Sequence, residues 1–431
     1  MGYPLCIIRN HLIRATYRLQ EGKNMELYGI KTKVLQGDAQ RPATSKSCLV
    51  YFAGASSTEK TGEPVKVTSY KEYKDIYHKG TEPKTTLLLD KAAEYALSLV
   101  GEIWCVNCKS AADNVEATAT EIKDLLEPAL AKICLESADV PNIICVPGIQ
   151  DATCLKELVR QCKGEINNNI HAQGFVDCAQ VAAQIKDNNS PDASKITAPL
   201  AEGCLISAWG NGIIDKNETG LITKHVPMSI VLSARRGQQD AENAQNVPYR
   251  SVGNLRVDLK GLCIVTELSG APAFVECTCR QDHMNAVVEN GIVSLVNKGN
   301  NRWYTWGDHT SAVSAGTVDD ETYRFDSNVA ILYHVLNRFV AKWGHIIDSP
   351  MSLRLRDCIV SEEQDYLNGL KALGCLIGEP KCEFRSTDNT KDSLAQGQFY
   401  FVNLITVVPP AKYVELRVQY TDAGLSAYIE G

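Results

Sequence analysis

Eight histidines and 16 cysteines carry most of the chemistry open to this chain of 431 residues. Two histidines sit beside carboxylates: His283 follows Asp282 in RQDHMN, and His309 follows Asp308 in WGDHTS. A carboxylate–histidine pair can orient an imidazole so that it takes a proton from a serine. Neighbours on a strand point to opposite faces, so neither pair is a dyad by position alone. A triad would need partners brought in by the fold. The sequence has no Gly-x-Ser-x-Gly elbow, no Gly-x-x-x-x-Gly-Lys-Ser/Thr phosphate loop, no Gly-x-Gly-x-x-Gly after a strand and no His-Glu-x-x-His helix. Cys105 and Cys108 form one Cys-x-x-Cys, and Cys277 and Cys279 a Cys-x-Cys. A structural zinc site takes four ligands, usually as two spaced pairs, and there is no second Cys-x-x-Cys. Cys145 and Cys263 lie in the apolar runs IICV and LCIV, where a reduced thiol packs as a small hydrophobe. The expectation is buried reduced thiols in a reducing compartment, with no catalytic residue, no metal and no cofactor.

Two further groups invite a function. The run Arg302-Trp303-Tyr304-Thr305-Trp306-Gly307-Asp308 is dense in rings that could stack on a sugar or base. Burial at a junction between domains is the favoured reading, because Trp and Tyr contribute large areas to cores. Arg235-Arg236 ends a helical stretch and reads as a solvated face or a contact between subunits.

The elements that must position these residues alternate in the middle of the chain. Short apolar strands are expected at 47–54, 64–68, 102–106, 142–146, 172–176 and 205–209. Helical spacing is expected at 70–77, 87–99, 152–162, 179–185 and 228–236. This alternation predicts a largely parallel sheet covered on both faces. The last third changes character. Helices at 328–343 and 352–373 precede strands at 382–385, 398–408 and 413–420, an α+β arrangement with its boundary near 311–320. Two segments alternate cleanly and lie near the chain ends. Tyr28, Ile30, Thr32 and Val34 share one face, and Val414, Leu416, Val418 and Tyr420 share another.

Composition excludes several classes. The charge sum of 44 basic against 51 acidic residues is −7, which argues against a general nucleic-acid binder. With 44% hydrophobic residues the chain can bury a large core rather than stay disordered. No segment approaches the roughly 18 apolar residues of a membrane span, and no secretory-signal pattern is seen. Residues 1–24 are basic and aperiodic, and are expected to be a translated leader ahead of a natural start at Met25. Gln20-Glu21-Gly22 can be encoded by a sequence containing a ribosome-binding motif, a short spacer before that Met.

Taken in order, several landmarks resemble the tail sheath proteins of contractile phages and contractile bacteriocins. They begin with Arg41-Pro42-Ala43-Thr44 through Phe52-Ala53-Gly54, then Glu63-Pro64-Val65-Lys66-Val67-Thr68-Ser69-Tyr70 with Tyr73. Pro248-Tyr249-Arg250-Ser251-Val252-Gly253-Asn254 follows, then Glu289-Asn290-Gly291-Ile292-Val293 and Arg302 to Gly307. The last are Ile347-Asp348-Ser349-Pro350, Leu367 to Leu370, Gly374 to Gly378 and Val407 to Glu415. The similarity covers residues 28–428, and the order and spacing carry it more than any single motif.

The resemblance implies a multidomain α/β and α+β fold. Its parts would be the leader at 1–24, an N-terminal arm and β-rich domain at 25–110, a central subtilisin-like α/β domain at 111–311 and a C-terminal α+β domain at 312–431. The subtilisin label can mean only a fold, since no Gly-Thr-Ser context is present. It further implies a helical homo-oligomer of stacked rings around an inner tail tube, with baseplate and tail-terminator partners, no nucleic acid and no membrane insertion. Such a particle, a virion tail or a phage-derived device, would be assembled in a bacterial host cytoplasm. The two alternating end segments would be arms that add strands to neighbouring subunits; an ordinary intramolecular sheet is the alternative for each. A hydrolase built on the α/β middle, or another tube or capsid protein, remains the competing class.

Overall fold

Cys48–Ala53 is buried at all six positions. A strand of β-formers with both faces buried belongs at the centre of a sheet covered on each side. The computed structural model describes residues 47–83, 87–109, 115–137, 139–165, 170–186, 188–268 and 271–428. The expected arm strand carrying Tyr28, Ile30, Thr32 and Val34, and the expected leader, lie outside these residues.

From the first strand, β1 (Cys48–Ala53), the chain runs through β2 (Pro64–Val67), α1 (Tyr70–His78), α2 (Leu88–Ala96), β3 (Ile103–Asn107), α3 (Ala119–Glu136), β4 (Pro141–Val146), α4 (Ala152–Cys162), β5 (Gln173–Asp177) and β6 (Leu205–Ala208). It continues through β7 (Asn211–Lys216), β8 (Ile222–Pro227), α5 (Met228–Glu242), β9 (Arg256–Val257), β10 (Gly261–Leu268), β11 (Ala271–Glu276), α6 (Gln281–Val288), β12 (Ile292–Asn297) and β13 (Trp303–Trp306). The last elements are α7 (Asp326–Trp343), α8 (Leu353–Ala372), β14 (Leu376–Glu383), α9 (Lys391–Ala395) and β15 (Val402–Val407).

Nine strands form one mixed sheet in the order β2-β3-β1-β4-β5-β6-β12-β13-β9. The six from β3 to β12 are parallel, while β2, β13 and β9 add antiparallel edges. Strand β1 pairs with β3 on one side and with β4 on the other, with a register shift toward β4 between Cys48 and Leu49, so the sheet joins strands from both sides of position 110. Alternation along β1 assigns each side its helices. Leu49, Tyr51 and Ala53 pack with Tyr73, Leu89, Ala93, Ile230 and Ala234 of α1, α2 and α5. Cys48, Val50 and Phe52 pack with Ile122, Leu126, Leu155 and Leu158 of α3 and α4. Each such side chain contributes about 1.5–3 kcal/mol on burial. Helix α5 approaches the sheet closely at Gly237, where a Cβ would stand 2.5 Å from Leu49 Cδ1.

Three elements depart from the sequence reading. The expected helix at 179–185 is only a 3₁₀ turn at Ala182–Gln184. Gln184 donates from its amide to the Ala179 and Lys195 carbonyls and accepts from Trp209 Nε1, fixing a loop instead. Helix α3 has a Thr118–Glu121 capping box, but Pro128 in its middle masks it in the sequence. A separate antiparallel sheet, β11-β10-β7-β8, was not expected. Among the described residues no helix is long and apolar enough to cross a membrane.

Candidate functional site: the C-terminal sheet and terminal segment

Helix α8 buries Ile359, Glu363, Leu367 and Leu370, a stripe at helical spacing. Ser352 caps its first turn by accepting from Leu355 N at 3.1 Å. Glu363 is fully buried on that stripe because it is paired: it accepts from Trp343 Nε1 at 2.7 Å and from Arg338. Arg338 in turn lies over the Tyr366 ring, its Cζ 3.9 Å from the ring centre. Against this stripe lies a two-stranded antiparallel sheet, β14–β15. Leu376 and Cys382, with Ile405 and Val407, face the helix. Ile377 and Leu404 face outward and are exposed. Among the described residues neither strand has a second neighbour strand; Gln364 on α8 fills part of the β14 edge, donating to Pro380 O at 2.8 Å and accepting from Cys382 N at 3.0 Å, which leaves β15 as the more open edge. Open edges of this kind are templates for another strand.

The chain leaves β15 through Val408, whose N–H reaches Cys375 O at 3.2 Å. Pro409 and Pro410 then stop the ladder, because neither can donate to it. Beyond them, Tyr413 to Tyr420 pairs with no strand among the described residues. Val414, Leu416, Val418 and Tyr420 are 84%, 86%, 84% and 82% exposed. Among the described residues Glu415 of the polar face pairs with Arg417 at 2.7 Å. The strand expected at 413–420 is not formed: the segment has no strand assignment and is exposed on every side, and the intramolecular sheet offered as its alternative is not found among the described residues.

Behind this segment lies a line of buried charge. Arg236 on α5 is 1% exposed. It donates from Nη1 to Asp326 at 2.9 Å and from Nε to Asp240 at 3.1 Å, and to the carbonyls of Pro248 and Arg250. The reading of Arg235-Arg236 as a solvated face is thus wrong for Arg236, which the fold neutralises inside the core. Asp240 accepts from Ser47 Oγ at 3.0 Å, and Asp326 from Val252 N at 2.9 Å. Burial first, and the neighbouring Asp308 next, lift the Asp326 carboxyl to about 6, against the pull of Arg236.

The residues singled out for catalysis do not assemble. His309 Nδ1 faces Val288 O at 3.0 Å, while the Asp308 carboxylate binds Lys412. His283 lies 3.8 Å from Asp282, which Arg280 already holds at 3.2 Å. A group missed in the sequence is more suggestive: Asp90 Oδ1 meets His78 Nε2 and Tyr73 Oη at 2.8 Å each, and Ser56 Oγ donates to Asp90 Oδ2 at 2.7 Å. Burial raises this carboxyl, but the bonds from His78, Ser56 and Tyr73 outweigh it and hold the group below its usual range. The serine bonds to the acid instead of the imidazole, so the cluster ties α1, α2 and the loop after β1 together without priming a nucleophile.

Cys105, Cys108 and Cys279 are buried with their thiols pushed well up by burial, and Cys277 is pushed up to about 12. That suppresses the thiolate needed for metal or redox chemistry. No metal-ligating cluster occurs among the described residues. Trp303 is buried, and Tyr304 and Trp306 pack half-buried on the core with Lys298 over both rings at 4.8 and 5.0 Å.

No family model and no curated protein matches the chain. Solved structures do. The sheath complex of an extracellular contractile injection system, PVC, in its contracted state is similar over 93% of this chain and 99% of its own, with a TM-score of 0.65 at 14% identity. The contracted helical sheath of the anti-feeding prophage, AFP, is similar over 92% and 100%, at 0.58 and 15%. The sheath tail protein of Desulfitobacterium hafniense covers 89% and 100%, at 0.55 and 10%. The chain thus has, along nearly its whole length, the mixed α/β fold of sheath proteins.

Proposed function

We propose that this chain is the repeating subunit of a contractile sheath, a structural protein that polymerises around an inner tube and contracts to drive it through a target envelope. The observation that carries the reading is the exposed segment at 413–420, unpartnered among the described residues, following a two-stranded sheet whose β15 edge carries no second strand. A strand that satisfies nothing in its own fold is suited to a neighbour's edge, and an identical edge exists on every copy. On this reading Val414, Leu416, Val418 and Tyr420 enter the β14–β15 sheet of another subunit. Tyr28, Ile30, Thr32 and Val34 would form the second arm. Residues 111–311 would be the subtilisin-like body without catalytic residues, flanked by parts at 25–110 and 312–431. The structural likeness to the PVC and anti-feeding prophage sheaths and to a sheath tail protein supports self-assembly; an inner tube, a baseplate and a terminator are the partners this reading adds. The same likeness supports a phage tail or phage-derived particle as the location.

The test is direct. Purified protein should form long hollow tubes in electron micrographs, and deletion of 413–431 should abolish them while leaving folded monomer. Normal tubes from the truncated chain would sink the arm assignment. Labelling of a single serine or cysteine by a covalent hydrolase probe would favour the competing enzyme reading.

A further inference from the structure

Between β15 and the exposed segment the chain touches the body once through a charge. Lys412 Nζ bonds the Asp308 carboxylate and lies 5.8 Å from the centre of the Phe325 ring. The lysine side chain is 41% exposed, but Asp308 is only 7% exposed. Asp308 is fixed from behind: its carbonyl accepts from Asp326 N at 2.9 Å, at the first residue of α7. Asp326 is held by Arg236, Arg236 by Asp240, and Asp240 by Ser47 at the head of β1. The Asp308 anchor is therefore part of the rigid core, whereas its partner sits on a strap of five residues, Val408 to Lys412, that crosses from β15 to the body. Two of those five are prolines, which restrict the paths the strap can take.

We propose that Lys412 and Asp308 form a latch that fixes where the C-terminal segment leaves the body, and that opening it frees the strap back to Val408 without unfolding the core. The asymmetry of burial supports this. A half-exposed lysine loses little by returning to water, but a buried carboxylate beside a second one, Asp326, is costly to leave uncompensated. The core thus holds a standing demand for a cation at this position, and the strap supplies it. Because the lysine end reaches solvent, water can take its place at the carboxylate as the strap lifts, so the latch opens reversibly while closing remains favoured. The latch concerns the segment assigned above as an assembly arm, but its existence is testable on single chains and does not need that assignment.

The experiment uses limited proteolysis of the unpolymerised full-length chain. Trypsin can cut after Lys412 and after Arg417, five residues apart, and Arg417 in the exposed stretch is the internal reference. In the wild type, cleavage at Lys412 should lag cleavage at Arg417. Asp308→Asn should raise the Lys412-to-Arg417 ratio about tenfold with the melting temperature of the body little changed. Equal cutting at both sites in the wild type, or an unchanged ratio in Asp308→Asn, overturns the latch. Should Asp308→Asn fail to fold, Lys412→Gln with chymotrypsin decides: cleavage after Tyr413 relative to Tyr420 should rise about tenfold, and an unchanged ratio overturns the proposal. Tubes without a latch, or a latch without tubes, separate this inference from the arm reading.

Discussion

Leu416→Asp isolates the arm strand from everything else in the molecule. Leu416 is 86% exposed in the single chain and touches no core cluster. The monomer should therefore melt within about 2 °C of the wild type, as surface substitutions do. In a neighbour's sheet the same side chain would be buried against the outward face of β14–β15. Burying a leucine contributes about 1.5–3 kcal/mol. An unpaired carboxylate in its place adds a desolvation cost of several kcal/mol, part of it relieved by protonation. A net loss of about 4 kcal/mol per subunit contact is a conservative figure, and at ~1.4 kcal/mol per tenfold it raises the critical concentration for polymerisation by about three decades. The assay is sedimentation of tubes across a dilution series, with electron microscopy of the pellets. Glu415→Gln, on the opposite face, is the control and should polymerise nearly as the wild type does. The reasoning fails if Leu416→Asp and Glu415→Gln shift the critical concentration equally, or if Leu416→Asp lowers the monomer's melting temperature.

Other outcomes test the body. Gly291→Ala should lower stability by about 3 kcal/mol in a denaturant titration, combining left-handed strain with overlap: φ is +71°, and a Cβ would stand 2.4 Å from Val313 O and 2.7 Å from Thr310 O. The Asp326 carboxyl, lifted to about 6, is raised above its unfolded value, so the native state holds the extra proton. Its contribution to stability is therefore greatest below about pH 4, falls as pH rises to 6 and is level above. Asp326→Asn should remove that slope and be no less stable than the wild type at pH 7.5, measured by denaturant titration at several pH values; a steeper slope in the variant would refute the assignment. Elemental analysis should find no stoichiometric zinc, and a serine-directed probe should label no residue, since Ser56 donates to Asp90 and not to a histidine.

What the sequence disclosed follows the range of the interactions involved. Helix α4 was legible to the residue, because Leu155, Leu158, Val159 and Cys162 repeat at helical spacing and Asp151 caps the first turn. The parallel strands β4, β5 and β6 were legible because each is a short apolar run buried on both faces. Strands β7 and β8 were not, since their outer halves lie at the surface and alternate poorly. The charges at the core were read least well. Arg236 and Asp240 stand four residues apart on one helix, a signal that was available. Asp326 is 90 residues away and Ser47 nearly two hundred, so no local pattern could place them on the same line. Asp308 and His309 were read as neighbours that make no dyad by position, and the fold turns one to Lys412 and the other to a backbone carbonyl, partners no local pattern named. The exposed segment shows the converse: its alternation was plain, and only a folded chain could show that none of the described residues answers that alternation.

That contrast bears on how such a molecule could move without coming apart. The body pairs its main buried charges: its nine-stranded sheet is packed on both sides, and Arg236 with Asp240 and Asp326, and Glu363 with Arg338, form ion pairs inside. Among the described residues its exposed, unpaired backbone lies toward the C-terminal end, at β15 and in the exposed segment at 413–420. A ladder between copies would use main-chain bonds that depend on strand pairing and not on how the two bodies are turned. The strap from Val408 to Lys412 is then the joint between the two regimes, and two prolines with one ion pair set its stiffness. Changing the latch should therefore alter how freely the bodies reorient around a ladder while leaving the ladder intact, whereas changing Leu416 should break the ladder and leave the joint as it was.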